Sequence, residues 1–258
     1  MIEIDNIYNM DCLEGMRQME SESVDLTVTS PPYDNLRHYN DYCFDFESIA
    51  KELYRVTKEG GVVMWNVGDQ MENGSETGTS FKQALYFKEI GFNINDTMIW
   101  LKTNPMPQVL QVRYRQTFEY MFIFSKGRPK TFNPIMVDCQ KKGQSYNSTV
   151  KNMGGEKGRT FKSFKINDQK ALDNVWAIGV AQNKTEHPAV MPEQLAADHI
   201  RSWSNEGDIV LDPFMGSGTT AKMALTLNRH YIGFEISEEY CKIIEKRLLP
   251  LKTQYKLF

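Results

Sequence analysis

Short runs rich in β-branched and aromatic residues alternate along the chain with segments whose apolar residues recur at helical spacing. The strand-like runs are residues 2–8, 24–30, 61–67, 92–101, 118–124, 208–212 and 231–235. The helical segments are residues 12–19, 46–57, 80–90, 192–203, 219–227 and 238–248. Alternation of this kind predicts an α/β fold in which helices cover a parallel or mostly parallel sheet.

The alternation fails in one long segment, residues 126–172, which is rich in Gly, Lys, Asn and Ser. Its aromatic residues Phe132, Tyr146, Phe161 and Phe164 are interleaved with cations. A stretch this long without periodicity inside a compact domain is usually functional or mobile. We therefore predict a catalytic domain formed by residues 1–125 and 173–258, interrupted by a target-recognition insertion at 126–172.

Charge is distributed unevenly between these two parts. The whole chain of 258 residues has a net charge of −3, which is unusual for a protein that binds nucleic acid. Residues 126–170, however, hold eleven Lys or Arg against three Asp or Glu, a local charge of +8, so the rest carries −11. A local basic region is sufficient to bind phosphates.

Composition excludes several other classes. With 41% hydrophobic residues the chain can bury a large core, and it has neither an apolar run of transmembrane length nor a signal-peptide start, so we expect a cytoplasmic protein. The four cysteines are far apart and lack neighbouring histidines, which argues against a disulfide framework or a zinc site. No metal is predicted.

A glycine-rich turn follows the strand-like run at 208–212. It reads Asp212-Pro213-Phe214-Met215-Gly216-Ser217-Gly218-Thr219-Thr220 and precedes a helix. Glycines there let the backbone approach a ligand and direct the helix N-terminus toward it. The next strand ends at Glu235, nearly twenty residues after the glycines, where a carboxylate is placed to accept hydrogen bonds from ribose hydroxyls.

A second motif, Thr29-Ser30-Pro31-Pro32-Tyr33, ends the run at 24–30. The two prolines hold the backbone extended and withhold N–H donors, so that carbonyl groups are left to accept hydrogen bonds. If Ser30 Oγ and the Pro31 carbonyl accept both hydrogens of an aromatic amine, its lone pair can point at a methyl donor. Tyr33 would stack on the base.

With both motifs present, the sequence resembles the bacterial and phage amino-methyltransferases of DNA. The order is the circularly permuted one, in which the catalytic motif precedes the cofactor loop, and the likeness covers residues 8–40 and 173–248. The resemblance implies a Rossmann-like, seven-stranded S-adenosylmethionine-dependent methyltransferase fold, mostly parallel with one reversed strand. It also implies direct methyl transfer to a flipped base, with S-adenosylhomocysteine as product.

The resemblance assigns roles to individual residues. The catalytic residues would be Ser30, Pro31, Pro32 and Tyr33. The cofactor would be bound by Asp11, Asp212, Phe214, Gly216, Ser217, Gly218, Thr219, Glu235, His187 and Pro188. One position departs from the family: a lysine often precedes the second proline of the His-Pro segment, and here Met191 stands before Pro192.

The identity of the base depends on Ser30. Serine at this position is typical of family members that methylate N4 of cytosine, whereas aspartate or asparagine is typical of those that methylate N6 of adenine. We therefore favour N4 of cytosine, with N6 of adenine as the alternative. Protein and RNA methyltransferases with a similar Pro-Pro-Tyr turn, and a DNA-binding module without activity, are less favoured; in those methyltransferases the cofactor loop usually comes first.

The expected macromolecular partner is double-stranded DNA. The candidate DNA-binding residues are Arg37, Arg113, Arg115, Lys141, Lys142, Lys151, Lys157 and Arg159. Their side chains can reach phosphates or guanine edges. A homodimer and a cognate restriction endonuclease are left open as further partners, and no membrane association is expected.

Overall fold

The computed structural model describes residues 2–32, 44–105, 107, 113–151, 159–181 and 190–255, with the backbone alone at 148–151, 159–162, 254 and 255. The strands are β1 Asn6–Asn9, β2 Val24–Thr29, β3 Thr57–Val67, β4 Met71–Glu72, β5 Ser75–Glu76, β6 Asn93–Lys102, β7 Phe118–Ser125, β8 Met136–Asp138, β9 Ser145–Lys151, β10 Arg159–Lys165, β11 Gln169–Ala171, β12 Val175–Ile178, β13 Ile209–Asp212 and β14 His230–Glu235. The helices are α1 Cys12–Arg17, α2 Phe46–Val56, α3 Thr79–Glu89, α4 Glu193–Trp203, α5 Thr219–Thr226 and α6 Glu238–Tyr255.

The main sheet has the order β1-β14-β13-β2-β3-β7-β6-β12. Strand β7 runs antiparallel to both β3 and β6, and the other pairs are parallel. The expected α/β architecture with one reversed strand is confirmed. The expected count of seven was too low for the described residues, because β12 pairs with the end of β6 as an eighth strand. Its four residues are too few to produce a periodic signal.

Helices form two groups on the two faces of this sheet. On one face, α1, α2 and α3 bury Met16, Leu53 and Phe87 in a core shared with Trp65 and Phe124. Helices α4, α5 and α6 form the second group. Pro192, expected inside the first turn of α4, is instead its N-cap.

The segment Pro134–Asp173 forms a compact unit of its own, separate from the unit made of 1–133 and 174–258. It contains two antiparallel ribbons, β8 with β11 and β9 with β10. The sequence pattern had predicted no regular structure here, and this was wrong. The side chains that are described in these strands are mostly exposed, so they show no buried face that would impose an apolar alternation.

Candidate active site

The parallel strands of the main sheet all end at one edge. Most of the described motif residues of the unit 1–133 and 174–258, called the catalytic unit below, lie at this edge. Strand β2 is followed by Ser30, β13 ends at Asp212 and β14 ends at Glu235. Ligands of open α/β sheets bind at this carboxyl edge. The fold therefore brings both motifs to the same edge of adjacent strands, although 182 residues separate Ser30 from Asp212 along the chain.

A buried hydrogen bond joins the two motifs. Thr29 Oγ1 donates to Asp212 Oδ1 at 2.6 Å, and both residues are at most 4% exposed. Burial raises the pKa of Asp212 to about 6, against the opposing effect of hydrogen bonds from Thr29, Thr220 and the Phe214 N–H. The position of Ser30, one residue beyond Thr29, is thus tied to the start of the glycine turn.

The glycine turn has the conformation that its sequence predicts. Gly216 and Gly218 have φ of 53° and 81°, in the left-handed region that favours glycine, and Gly218 is the N-cap of α5. A Cβ on Gly218 would lie 2.7 Å from Ile244, so the turn also needs the absence of a side chain. The result is a helix N-terminus without a side-chain cap, whose first N–H groups have no partner within the helix.

Thr219, the first residue of α5, supplies a further polar group at this turn. Its side chain is 4% exposed, and its hydroxyl has no hydrogen-bond partner within the described part of the chain. A buried hydroxyl without a partner is costly. Thr219 therefore fits a ligand with polar atoms at the helix N-terminus, such as the amino acid end of S-adenosylmethionine.

Glu235 closes the turn from the neighbouring strand. Its Oε2 accepts from the Gly216 N–H at 2.8 Å and its Oε1 from the Ser237 N–H at 2.9 Å. Burial raises the pKa of this carboxyl, and the two N–H donors oppose that effect. Each carboxylate oxygen keeps acceptor capacity beyond one hydrogen bond. Glu235 can therefore hold the turn and accept hydrogen bonds from a ribose at the same time.

Asp11 lies at the same edge, two residues after β1. Its Oδ1 accepts from the N–H groups of Leu13 and Glu14 at 2.9 and 3.0 Å, so it is the N-cap of α1. Next to it, Asn9 donates to the main-chain oxygens of Glu235 and Ile236 at 2.9 and 3.0 Å. Asp11 thus has a structural role in capping, and its predicted contact with the cofactor stays a prediction.

The side chains of Ser217 and Phe214, both predicted to bind the cofactor, contact other residues of the protein. Arg247 of α6 donates to the carbonyl oxygen and, at 3.0 Å, to the hydroxyl of Ser217. The Phe214 ring packs edge-on against Phe44 and Trp65, with centroids 5.6 and 6.2 Å apart. Sequence reasoning missed Arg247, because nothing in its local sequence distinguishes it from other helical cations.

The catalytic motif is described as far as Pro32. Ser30 is half-buried, Pro31 is buried and Pro32 is half-buried. A serine hydroxyl followed by a proline carbonyl offers two acceptors, which is what an exocyclic amine with two hydrogens requires. Five residues predicted for the site or for DNA lie outside the described residues: Tyr33, Arg37, His187, Pro188 and Lys157.

The remaining predicted DNA-binding residues lie on two parts of the chain. Arg113 and Arg115, before β7, are exposed, as are Lys141 and Lys142 in the separate unit. Lys151 ends β9 and Arg159 begins β10, directly paired across the ribbon; for these two the backbone alone is described. Four of these six cations therefore lie in the unit 134–173.

No cluster of three or more His, Cys, Asp or Glu in the described part of the chain is arranged to hold a metal ion. None of its helices has the length and apolar character needed to span a bilayer.

Comparison with known proteins finds a family that matches this chain and several proteins of similar sequence. Residues 24–246 match the sequence pattern of the N6_N4_Mtase family, described as DNA methylase. The chain is 56% identical over 238 residues to the orphan methyltransferase M.BamHII of Bacillus amyloliquefaciens, covering 88% of this chain and 89% of that one. It is 26% identical over 280 residues to the type II methyltransferase M.SmaI of Serratia marcescens, covering 93% and 89%.

Solved structures agree on the fold. The PvuII DNA methyltransferase, which is cytosine-N4-specific, superposes with a TM-score of 0.69 at 19% identity, covering 99% of this chain and 92% of that one. The complex of M1.HpyAVI with S-adenosylmethionine superposes with a TM-score of 0.62 at 24% identity, covering 94% and 99%.

Proposed function

This chain belongs to the DNA methylase family, and on that premise we propose that its target is the N4 amine of cytosine. The enzyme is an S-adenosylmethionine-dependent DNA amino-methyltransferase. The sulfonium of its cofactor supplies an electrophilic methyl group, and no covalent bond between enzyme and base is needed. The residues of the chain have to bind, orient and activate the amine.

In this proposal, Ser30 and Pro31 activate the amine. The amine nitrogen is a poor nucleophile because its lone pair is delocalised into the ring. Hydrogen bonds from its two hydrogens to Ser30 Oγ and the Pro31 carbonyl draw the nitrogen toward tetrahedral geometry and free the lone pair. The observation that carries this assignment is the Thr29–Asp212 bond, which fixes the acceptor next to the cofactor turn.

The cofactor is held, in this proposal, by the edge formed by the glycine turn and its neighbours. Thr219 and the N–H groups of α5 bind the amino acid end, and Glu235 binds the ribose hydroxyls. Asp11 lies where β1 ends beside β14 and borders the adenine. Gly216 and Gly218 let the backbone approach the cofactor closely, and the Ser217 hydroxyl accepts from Arg247 while its O–H stays able to donate.

One observation supports cytosine over adenine: serine opens the catalytic motif, as is typical of family members that methylate N4 of cytosine. Adenine N6 is the competing target, because it presents a chemically similar amine with two hydrogens.

Base identity is tested by expressing the chain in a host that lacks both modified bases. Digestion of the genomic DNA to nucleosides, followed by mass spectrometry, separates N4-methylcytosine from N6-methyladenine, and single-molecule sequencing then gives the target sequence. We expect N4-methylcytosine. N6-methyladenine alone would overturn the choice of base, and a methyl group found on protein or RNA but not on DNA would overturn the wider assignment.

For the unit 134–173 we propose the role of target recognition. It carries eight Lys or Arg against four Asp or Glu, within a chain of negative net charge. Its β9–β10 ribbon pairs seven residues in each strand, and a two-stranded ribbon is one of the elements that fit the major groove. Tyr146 and Phe164 stack on each other while remaining 53% and 39% exposed, which leaves aromatic surface for a partner.

A further inference from the structure

A cluster of three polar side chains lies at the carboxyl edge without belonging to either motif. Lys102 Nζ contacts Glu119 Oε1 at 2.5 Å, and Asn66 Nδ2 donates to Glu119 Oε2, also at 2.5 Å. Asn66 is 1% exposed, and the Lys102 and Glu119 side chains are 23% and 14% exposed. Glu119 thus links β3 to β6 across the reversed strand β7 on which it lies.

The cluster begins directly beside the catalytic motif. Strands β2 and β3 pair Thr29 with Trp65, so that Ser30 and Asn66 are the next residues along these neighbouring strands. Asn66 lies on the face of β3 opposite Trp65, whose indole bonds to Gln83 of α3. Lys102 ends β6, and Glu119 is the second residue of β7, so both lie at the same edge of the sheet.

Stability alone is a weak reason for such a cluster. Taking a lysine and a glutamate largely out of water costs free energy, and apolar residues of similar size often replace such a pair without loss. Polar networks that are satisfied by several partners instead fix side chains in one arrangement. The ammonium of Lys102 also lies 5.2 Å from the Trp100 ring centre, which restricts it further.

We infer that the Lys102–Glu119–Asn66 cluster positions the wall of the base pocket beside Ser30, with Glu119 holding Asn66 and Lys102 orienting Glu119. The inference rests on the proposed role of Ser30 as an acceptor for the amine. These three are positioning residues, acting on the reaction through the placement of Asn66. Displacements of about 1 Å around a reacting group can lower a rate about 100-fold.

The test uses single-turnover methylation of genomic DNA from a host without the gene, with labelled S-adenosylmethionine. In Glu119→Gln, with Asn66 oriented as it is now, one NH₂ group of the new amide faces either the Lys102 ammonium or the Asn66 NH₂ group, and only a reversal of the Asn66 amide relieves this. In Lys102→Met, Glu119 keeps its charge and loses its cation. We expect each single variant to lower the single-turnover rate about 10- to 100-fold, with the cofactor Kd changed less than about twofold.

The double variant Lys102→Met/Glu119→Gln separates positioning from direct contact with DNA. Its amide can turn its oxygen to Asn66 with no facing cation, so we expect a rate within about threefold of the wild type. A double variant as slow as Lys102→Met alone would mean that the lysine charge itself acts on DNA. Wild-type rates in both single variants would also overturn the inference.

A matched pair at the opposite edge controls for loss of stability. Lys58 bonds to Asp25 Oδ2 at 2.7 Å between β3 and β2, and the same oxygen accepts from the Ile209 N–H. Lys58→Met should lower the melting temperature as Lys102→Met does and leave the single-turnover rate unchanged. Ser30→Ala in the same assay separates failure of the proposed function from failure of this inference. Full activity of Ser30→Ala would contradict the proposed role of Ser30. An inactive Ser30→Ala variant, together with wild-type rates in the cluster variants, would contradict the positioning role of the cluster alone.

Discussion

The two units of this chain use polar residues in opposite ways. In the catalytic unit, Thr29, Asp212 and Glu235 are at most 8% exposed, and each is fixed by at least one hydrogen bond. In the unit 134–173, cations such as Lys141 and Lys142 are exposed, and the stacked ring pair is on the surface.

The difference is what the proposed roles of the two units require. Methyl transfer depends on acceptors that do not move, and burial with satisfied hydrogen bonds provides that rigidity. Binding to phosphates depends on long-range charge and counterion release, which exposed lysines provide without a fixed geometry. Substitutions in the first unit should therefore change rates or cofactor binding, and those in the second should change the salt dependence of DNA binding.

The largest effects are expected from substitutions of Ser30 and Glu235 at the carboxyl edge, at the ends of the two strands that flank β13. Ser30→Ala removes one of the two proposed acceptors for the amine, so we expect the methylation rate to fall about 100- to 1000-fold with cofactor binding unchanged. Glu235→Ala removes the proposed ribose acceptor and the bond to Gly216, and it should weaken cofactor binding about 10-fold or more before it affects chemistry. Calorimetry with S-adenosylmethionine and single-turnover kinetics measure the two effects separately.

Ser23→Ala is the control, since this serine precedes β2 at the far edge and bonds to the Glu20 carbonyl. It should leave both quantities unchanged. If Ser30→Ala lost cofactor binding while Glu235→Ala lost only rate, the two halves of the site would have been assigned the wrong way round.

A smaller, pH-dependent effect on stability is expected when the Thr29–Asp212 hydrogen bond between the two motifs is removed. The pKa of Asp212, about 6, lies above its ordinary value of 3.8, so ionised Asp212 destabilises the fold, and stability falls as pH rises through about 4 to 6. Thr29→Val removes a donor to the ionised form. We expect it to lower the free energy of unfolding by about 1–3 kcal/mol above pH 6 and by less below it, where the carboxyl is protonated.

Thr27 provides a control on the same strand. It is fully buried, and its hydroxyl has no hydrogen-bond partner among the residues described. Thr27→Val should therefore be neutral or stabilising, with no dependence on pH between 4 and 8. Denaturant unfolding at pH 5 and pH 8 measures both variants, and an equal loss for Thr29→Val at the two pH values would contradict the role of Asp212 ionisation.

Sequence patterns predicted the catalytic unit well because burial imposes recognisable apolar patterns. The strands around Val63 and Phe122 are buried on both faces and form near-continuous apolar runs, whereas the helix around Leu53 repeats apolar residues on the one side that faces the core. The ribbons of the unit 134–173 were missed, because exposed pairs such as Asn147 with Ser163 need no apolar alternation.

The candidate site divides in the same way. Asp212, Gly218 and Glu235 stand in local motifs, so the sequence alone predicts their place at one edge. Lys102 and Arg247 act through partners that are distant in sequence, Glu119 and Ser217, and only the folded sheet brings these together. Long-range polar contacts of this kind have no local sequence signal.

The smallest effect is expected in the unit 134–173, and it tests whether this unit meets DNA. Lys142 forms an exposed i,i+4 pair with Asp138 at 3.4 Å, which contributes little to stability. If Lys141 and Lys142 contact phosphates, Lys141→Ala and Lys142→Ala should each make the negative slope of log K against log salt concentration shallower by about 0.9, with cofactor binding unchanged.

Lys242→Ala is the matched control, because Lys242 forms an exposed i,i+4 pair with Glu238 at 2.7 Å in the catalytic unit. Fluorescence anisotropy with unmethylated duplex DNA at several salt concentrations should give the wild-type slope for Lys242→Ala, and the same slope in all three variants would mean that these two lysines do not touch the DNA backbone.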